Sequence, residues 1–187
     1  MQRKSSRGRQ AGRVSPARRI NGNGFRARAS AGAVSPFARA IGLLARRAHS
    51  RSELRRKLRM KGYEVEAVEA AIARLAELGY LDDQAFAREL VRRRGALRGP
   101  LALSAELAAK GVDRADVEAA VAEFDPEAQL LSATRLAGRL YARKPQIGHR
   151  EMLDRVGAKL LRRGFTSTIV RAACRSVLAD AAQLPED

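Results

Sequence analysis

Three copies of one short motif constrain the fold of this chain more than any other feature. The motif is a leucine, two further residues, a basic residue, a glycine and a hydrophobic residue. It spans residues 58–63, 107–112 and 160–165, so the copies begin 49 and 53 residues apart. An internal repeat of this period indicates a stacked array of similar structural units.

The residues around each copy have the pattern of two consecutive helices. The glycine of the motif is typical of a helix C-terminus, where the backbone turns into the left-handed region. The residue after the motif occupies an N-cap position. The last residue of the motif and a valine five residues later have the spacing of a hydrophobic staple. These positions are Gly62, Gly111 and Gly164, then Glu64, Asp113 and Thr166, then Val68, Val117 and Val170.

The composition favours helices over strands. Apolar residues make up 45% of the 187 residues, aromatic residues only 4%, and Trp is absent. Ala and Leu must therefore form most of the core, and both are strong helix formers. The alternating β-branched runs typical of strands do not occur in the sequence. We expect an all-α fold of three tandem three-helix repeats that form an elongated, curved body.

Capping signals divide the chain after residue 34 into nine predicted helices. The clearest are a Ser-Pro start, a capping box and a hydrophobic staple. They lie at Ser35 and Pro36, at Ser50 and Glu53, and at Leu81, Asp82 and Phe86. The helices are predicted over about 36–48, 50–62, 64–78, 82–94, 100–110, 113–124, 126–141, 149–163 and 166–182.

Helical periodicity predicts which side chains face the core. In the second helix these are Leu54 and Leu58, together with Met60 or Lys61. In the third helix they are Val65, Val68, Ile72, Leu75 and Leu78. Cys174 occupies the repeat position that Ile72 and Val121 hold, so we expect it to be a small core residue.

The first 34 residues differ in composition from the rest of the chain. Residues 1–35 carry nine Arg or Lys and no acidic residue, among Gly, Ser and Ala that offer little to bury. We predict a disordered basic arm over residues 1–34, followed by repeats over 35–81, 82–125 and 126–187. The arm has two interpretations. One is a variable or solubilising extension, or even a start assigned too early. The other is a segment that adds nonspecific affinity for phosphate.

The charge of the remaining chain alternates in sign. Of the net charge of +17, residues 36–61 and 126–175 contribute +8 each, whereas residues 62–81 contribute −3 and residues 100–125 contribute −4. Such alternation suits a protein partner at least as well as bare DNA, and the cationic zones suit a phosphate backbone. The candidate contact residues are Arg46, Arg47, Arg51, Arg55, Arg56, Arg59, Arg92, Arg93, Arg94, Arg139, Arg143, Lys144, Arg150, Arg162 and Arg163. Of these, Arg55, Arg56 and Arg59 are predicted to share an outward face.

Residues that carry catalytic or metal chemistry are few. One Cys excludes a disulfide within the chain and a Cys-rich zinc site, and neither His has acids clustered beside it. Capping and the helix dipole explain the adjacent Asp82 and Asp83. We therefore expect no enzymatic activity, no cofactor and no metal. Without a long apolar run or a signal peptide core, we expect a cytoplasmic protein.

Three segments resemble a known family. Residues 50–62 (Ser-x-x-Glu-Leu-x-x-Lys-Leu-x-x-Lys-Gly) resemble the first repeat of the RecX regulatory proteins. Residues 75–87 (Leu-x-x-Leu-Gly-Tyr-Leu-Asp-Asp-x-x-Phe-Ala) resemble that family's most specific stretch, and residues 107–112 (Leu-x-x-Lys-Gly-Val) its second repeat. The resemblance covers about residues 37–180 and is weakest in the third repeat. It implies three tandem three-helix repeats and a non-enzymatic modulator that lies in the groove of the RecA–DNA filament and suppresses RecA.

Two functions compete on the sequence. One is a RecX-like inhibitor that binds a recombinase filament, with weak, salt-dependent binding to single- or double-stranded DNA, and that acts as a monomer. The other is a general helical DNA-binding or architectural module. A helix-turn-helix reader needs base-reading side chains on its recognition helix. Here the candidate turns are followed by Glu64 and Glu66, and by Asp113 and Asp116, whose carboxylates would face phosphates. The acids favour the first function.

Overall fold

The computed structural model describes residues 34–143 and 147–183, and all regular structure in these ranges is helical. The predicted all-α fold is confirmed. Repeat 1 contains α1 (Pro36–Leu44), α2 (Arg51–Arg59) and α3 (Val65–Glu77), and repeat 2 contains α4 (Asp83–Arg94), α5 (Pro100–Ala109) and α6 (Arg114–Ala122). Repeat 3 contains α7 (Pro126–Tyr141), α8 (His149–Met152), a π-helical segment (Leu153–Gly157), α9 (Ala158–Arg162) and α10 (Ser167–Ala182).

The predicted basic arm lies outside the described residues except for Val34, and so does Lys144. The Val34 carbonyl accepts a hydrogen bond of 2.7 Å from the Tyr63 hydroxyl, so the described part of the chain begins at a tethered residue. In the described ranges, no helix has both the length and the apolarity needed to cross a bilayer.

Each repeat has a hydrophobic core of its own. The first leucine of the motif is fully buried in all three, as Leu58, Leu107 and Leu160. Around Leu58 pack Leu54, Val68, Ile72 and Leu75; around Leu107 pack Phe86, Leu90, Leu103 and Val117; around Leu160 pack Leu136, Met152, Phe165, Val170 and Cys174. The repeated motif therefore places equivalent residues in three successive cores, and Cys174 is a core residue as predicted.

Most predicted helix starts and ends are confirmed. The hydroxyl of Ser50 accepts from the Glu53 N–H at 3.0 Å, and the carboxylate of Asp82 accepts from the Ala85 N–H at 3.0 Å. The motif glycines all have positive φ, at 82° for Gly62, 70° for Gly111 and 84° for Gly164. In the capping box of α2, however, the Glu53 carboxylate binds Arg47 and Lys110 instead of returning to the backbone of Ser50.

The predicted extent of α1 is wrong at its C-terminal end. The helix stops at Leu44 and not near residue 48. Its last turn tightens, since the Arg46 N–H bonds three residues back to the Leu43 carbonyl at 3.2 Å. The chain then has to reach the extended conformation that Ser50 needs to cap α2, with φ of −72° and ψ of 159°.

Three predicted core positions are also wrong. Met60 is 79% exposed, Val65 is 47% exposed and Leu78 is 44% exposed. Met60 follows the last residue of α2, Val65 is the first residue of α3, and Leu78 follows the last residue of α3. All three lie at helix ends, beyond the stretch in which the helices of repeat 1 face one another, whereas the mid-helix Leu54 and Leu75 are buried as predicted.

Repeat 3 contains a π-helical segment that the sequence pattern does not predict. Residues 153–157 widen the helix between α8 and α9. Gly157 is buried there, and a Cβ at this position would lie 3.2 Å from a methyl group of Val170 on α10. The predicted single helix over 149–163 is therefore interrupted where it packs closely on α10.

Candidate partner interface and repeat junctions

The junction between repeats 1 and 2 joins the start of α2 to the end of α5. The Ser50 hydroxyl donates a hydrogen bond to the Lys110 carbonyl while it accepts one from the Glu53 N–H. One hydroxyl thus serves an unpaired donor at a helix N-terminus and an unpaired acceptor at the C-terminus of another helix. Gly111, which follows Lys110, packs so closely on Ser52 that a Cβ would collide with it.

A buried carboxylate strengthens this junction. Glu53 is only 5% exposed, and its Oε1 lies 3.1 Å from the Lys110 ammonium and its Oε2 3.3 Å from the Arg47 guanidinium. Burial alone would raise the pKa of Glu53, but the hydrogen bonds from Arg47 and Lys110 outweigh it and hold that pKa at about 2. The carboxylate is therefore ionised at neutral pH and links repeat 1 to repeat 2 by charge.

His49 lies beside this carboxylate. Its Nδ1 is 3.3 Å from Glu53 Oε2, in a geometry that makes no hydrogen bond with any described residue. Burial, together with the positive charges of Arg47 and Lys57, lowers the pKa of His49 although Glu53 acts in the opposite direction. The imidazole is therefore neutral at pH 7 and belongs to the packing of the junction.

Asp83 completes the contact between the two repeats. One of its carboxylate oxygens accepts a hydrogen bond of 2.9 Å from the Arg51 N–H, at the first residue of α2. Burial raises the pKa of Asp83 despite this bond. Asp83 thus stabilises the junction. As the first residue of α4 it also interacts favourably with the dipole of its own helix, which is the role expected from the sequence.

The junction between repeats 2 and 3 has the same plan and uses backbone groups. Here the start of α5 meets the end of α9. The Gly99 N–H bonds to the Arg163 carbonyl at 2.9 Å, and the Leu101 N–H bonds to the Gly164 carbonyl at 3.1 Å. Gly99 offers no side chain to cap α5. The C-terminal carbonyls of α9 therefore cap α5, and each helix satisfies the other's unpaired groups.

Both junctions escape prediction from the sequence. Ser50 and Lys110 are 60 residues apart, and local patterns report only neighbours within a turn or two. The repeated motif does, however, contain a signal of these contacts. The basic-Gly pair of the motif recurs in each repeat, and in repeats 2 and 3 it is this pair that contacts the preceding repeat.

Several candidate arginines are tied to carboxylates. The pairs are Arg47 with Glu53, Arg55 and Arg59 with Glu69, Arg92 with Glu89, and Arg94 with Glu106, at distances from 2.6 to 3.3 Å. The predicted outward face of α2 is therefore divided, because Arg55 and Arg59 turn toward Glu69 on α3. Arg56 is exposed.

The other candidate arginines are exposed and make no side-chain hydrogen bond or ion pair with any residue in 34–143 and 147–183. They are Arg46, Arg51, Arg56, Arg93, Arg139, Arg143, Arg150, Arg162 and Arg163. An exposed guanidinium without a carboxylate keeps its donors available for phosphate or for acidic side chains of a partner. These residues form the candidate contact set.

Two of them lie in a cleft at the junction of repeats 2 and 3. The cleft has a volume of about 400 Å³ and is lined by Arg162, Arg163, Arg98, Leu97 and Ala102. Arg98 also lies 3.4 Å from Glu106, whereas Arg162 and Arg163 have no carboxylate partner in the described ranges. A cleft that gathers three guanidinium groups beside an apolar side chain can hold an anionic group. We call it the arginine cleft.

The acids of repeat 2 lie where a DNA-reading helix would need basic or amide side chains. Asp113 caps α6, with its carboxylate accepting from the Ala115 N–H at 2.9 Å. Arg114 pairs with Glu118 of the same helix at 2.7 Å. This helix start therefore presents carboxylates and a neutralised arginine, which oppose insertion into a DNA groove.

Side chains that could bind a metal are not grouped in residues 34–143 and 147–183, which contain no cluster of three or more His, Cys, Asp or Glu suited to an ion. Burial raises the pKa of the Cys174 thiol. His149 is exposed at the start of α8.

These features define a helical-repeat protein in which helical units are stacked through helix ends and several exposed arginines make no ion pair with any described residue. Residues 37–75 match the family model of the first three-helix domain of RecX, and residues 82–121 match that of the second. The regulatory protein RecX of Stenotrophomonas maltophilia (strain K279a) is 41% identical over 144 residues, which cover 75% of this chain and 86% of the relative. The chain belongs to the RecX family of regulatory proteins.

A second relative and two solved structures are also similar to this chain. The regulatory protein RecX of Xanthomonas axonopodis pv. citri (strain 306) is 41% identical over 78% of this chain and 90% of its own length. A crystal structure of regulatory protein RecX superposes with a TM-score of 0.66 and 28% identity, over 72% of this chain and 68% of that one. The crystal structure of RecX from Lactobacillus salivarius has the same fold, with a TM-score of 0.71 and 23% identity over 77% of this chain and 95% of that one.

Proposed function

We propose that this protein binds the filament that the RecA recombinase forms on DNA and inhibits the recombinase, without catalysing a reaction itself. Membership of the RecX family of regulatory proteins is the observation that carries the proposal. The exposed arginines that have no carboxylate partner among the described residues support it, since a protein–DNA filament offers phosphates together with acidic side chains.

The distribution of charge favours a filament over bare DNA. Exposed arginines with no ion pair in the described part of the chain occur in all three repeats, for example at Arg56, Arg93 and Arg162. Residues 100–125 of repeat 2 nevertheless carry a net charge of −4. A uniform phosphate backbone would repel that segment, whereas a protein surface can offer complementary charge. Several weak contacts on one filament would add, because the first contact raises the effective concentration of the others.

The central experiment compares two targets. Binding is measured by fluorescence anisotropy to a labelled single-stranded oligonucleotide, alone and coated with RecA in the presence of a slowly hydrolysed ATP analogue. We expect at least tenfold tighter binding to the coated strand, with inhibition of strand exchange and of DNA-dependent ATP hydrolysis by RecA when ATP is supplied. Equal affinity for both targets would instead support a general DNA-binding module.

A charge-matched pair of variants tests the arginine cleft within this function. The double variant R162E/R163E removes from the cleft two arginines that pair with no described carboxylate. The control R171E/R175E makes the same change of charge on α10, where both side chains are exposed. We expect the cleft variant to lose about ten times more filament affinity than the α10 variant. We also expect a shallower salt dependence for the cleft variant. The slope of log affinity against log salt concentration should decrease by about one for each phosphate contact that is lost. Equal losses would indicate that only the total charge matters.

A further inference from the structure

The three helix ends that carry the motif glycines are equivalent, yet among the described residues only two of them contact the start of another helix. The end of α5, at Lys110 and Gly111, contacts the start of α2, and the end of α9, at Arg163 and Gly164, contacts the start of α5. A Cβ at either Gly111 or Gly164 would collide with the preceding repeat. A Cβ at Gly62 would find no described atom within 4 Å. The end of α2 is thus a junction surface without an occupant among the described residues.

At two positions this end carries a larger or more apolar exposed residue than the equivalent ends do. Met60 is 79% exposed and Val65 is 47% exposed, on either side of Gly62 in the sequence. At the positions of Met60 the other repeats have Ala109 and Arg162, and at those of Val65 they have Arg114 and Ser167. The terminal unit of a repeat array normally has a polar outer face. Repeat 1 departs from this rule at the end of α2, where no described residue packs against Gly62.

We propose that the end of α2 docks the N-terminus of a helix from a protein partner, in the way that the ends of α5 and α9 dock the starts of α2 and α5. The docking surface consists of Met60, Lys61, Gly62 and Val65. The partner is a subunit of the RecA filament, and this identity rests on the proposed function. The arginines then contact phosphate or acidic groups while this surface contacts protein.

The occupied junctions define the chemistry of the occupant. In both, a small side chain in the first turn of the incoming helix faces the glycine, namely Ser52 on Gly111 and Ala102 on Gly164. In the first junction the Glu53 carboxylate also reaches the Lys110 ammonium at 3.1 Å. Lys61 holds the position equivalent to Lys110. The partner helix should therefore begin with a small residue and a carboxylate in its first turn, and an apolar side chain nearby should cover Met60.

The test replaces the apolar residues with what the other repeats have at those positions. The variant M60R/V65R copies Arg162 and Arg114 and adds positive charge. We expect it to bind RecA-coated single strands at least tenfold more weakly than the unmodified chain, and to bind the naked oligonucleotide equally or more tightly. The control L78R/L131R makes the same chemical change at two leucines that are 44% and 51% exposed. We expect the control to keep its affinity for coated strands.

Photo-crosslinking separates this proposal from the proposed function. A photoreactive amino acid at position 60, with position 131 as control, is irradiated in the presence of RecA and DNA, and the products are mapped by mass spectrometry. A crosslink from position 60 to the first turn of a RecA helix supports docking. Crosslinks to DNA alone, or none, overturn it, as does unchanged filament affinity of M60R/V65R. If the unmodified chain binds coated and naked strands equally, the proposed function fails, while the crosslink still decides whether the surface docks protein.

Discussion

The hydroxyl of Ser50 is bound on both sides, by the Glu53 N–H of its own helix and by the Lys110 carbonyl of the next repeat. An ordinary N-cap serves one helix. This one serves two, because a hydroxyl can accept and donate at the same time. The stability of α2 and the attachment of repeat 2 therefore depend on the same atom.

Replacing Ser50 with alanine is expected to destabilise the fold more than loss of an isolated cap. The variant loses the cap, worth about 1 kcal/mol, and leaves the Lys110 carbonyl without its donor, which costs roughly a further 1–2 kcal/mol. Ser35 provides the matched control, since it caps α1 at 3.1 Å and is exposed. Urea unfolding followed by circular dichroism should give a larger loss for S50A than for S35A. Equal losses would show that the contact with Lys110 adds nothing to stability.

Alanine at Gly111 is expected to cost more than alanine at Gly62. Both positions have positive φ, so each substitution introduces about 1–2 kcal/mol of backbone strain. Only at Gly111 does the new methyl group also collide with Ser52. The cost of this collision is isolated by measuring the free energies of unfolding of G62A, of G111A and of G111A combined with S52G. Replacing Ser52 with glycine should bring the destabilisation caused by G111A closer to that caused by G62A. A G111A variant as stable as G62A would contradict the close approach of the two repeats.

Stability is expected to fall as the pH is lowered through the range in which Glu53 is protonated. Its pKa is about 2 in the folded protein against an ordinary value of 4.5, so the unfolded chain binds the proton first. The stabilising charge is complete above pH 4.5 and is lost as the pH falls toward 2. E53Q should be less stable at pH 7, by about 2–3 kcal/mol, and should lose less stability over this range. The exposed Glu66 provides the control E66Q, whose pH profile should follow that of the unmodified chain.

Charge reversal on α2 is expected to separate binding from folding. Arg56 is exposed and has no carboxylate partner in the described ranges, so R56E should lower filament affinity at an unchanged melting temperature. Arg59 pairs with Glu69 at 3.2 Å, so R59E should cost up to about 1 kcal/mol of stability and lower the filament affinity less than R56E does. Calorimetry and anisotropy on the same samples measure both effects. A lower melting temperature for R56E would contradict the assignment of its side chain to solvent.

Removal of the basic arm is expected to leave folding unchanged. Residues 1–33 have no apolar pattern, and the cut retains Val34, whose carbonyl accepts from Tyr63. The shortened chain should melt at the same temperature and bind naked DNA more weakly at low salt, because it lacks nine cationic residues. A large fall in melting temperature would mean that the arm contributes to the packed structure.

The sequence predicts what depends on neighbours within one or two turns. The three motif glycines and the cap at Asp82 are found as expected, because left-handed helix ends and N-caps leave local signatures. The exposure of Met60 is missed, since periodicity assumes that a core continues to the end of a helix. The bond from Ser50 to Lys110 is missed because it requires knowing how one repeat meets the next.

The candidate contact set was only partly predictable for a similar reason. By charge alone, Arg55 and Arg162 are equally good candidates for contact with a partner. Only the fold reveals that Arg55 is held by Glu69 at 2.8 Å and that Arg162 lies in the arginine cleft without an ion pair to any described residue. An acidic residue 14 positions away decides which arginine remains free, and no helical spacing relates the two positions.

The two junctions should respond differently to evolutionary drift. At the first, the contacts depend on side chains, among them Ser50, Glu53 and Lys110. At the second, two backbone hydrogen bonds join Gly99 to Arg163 and Leu101 to Gly164, and nearly any side chain leaves such bonds intact. Substitutions can therefore accumulate around the second junction, provided that Gly99 and Gly164 remain small, while substitutions at the first must occur in compensating pairs. Repeats 2 and 3 could lose all recognisable likeness in sequence and still be held together in the same way.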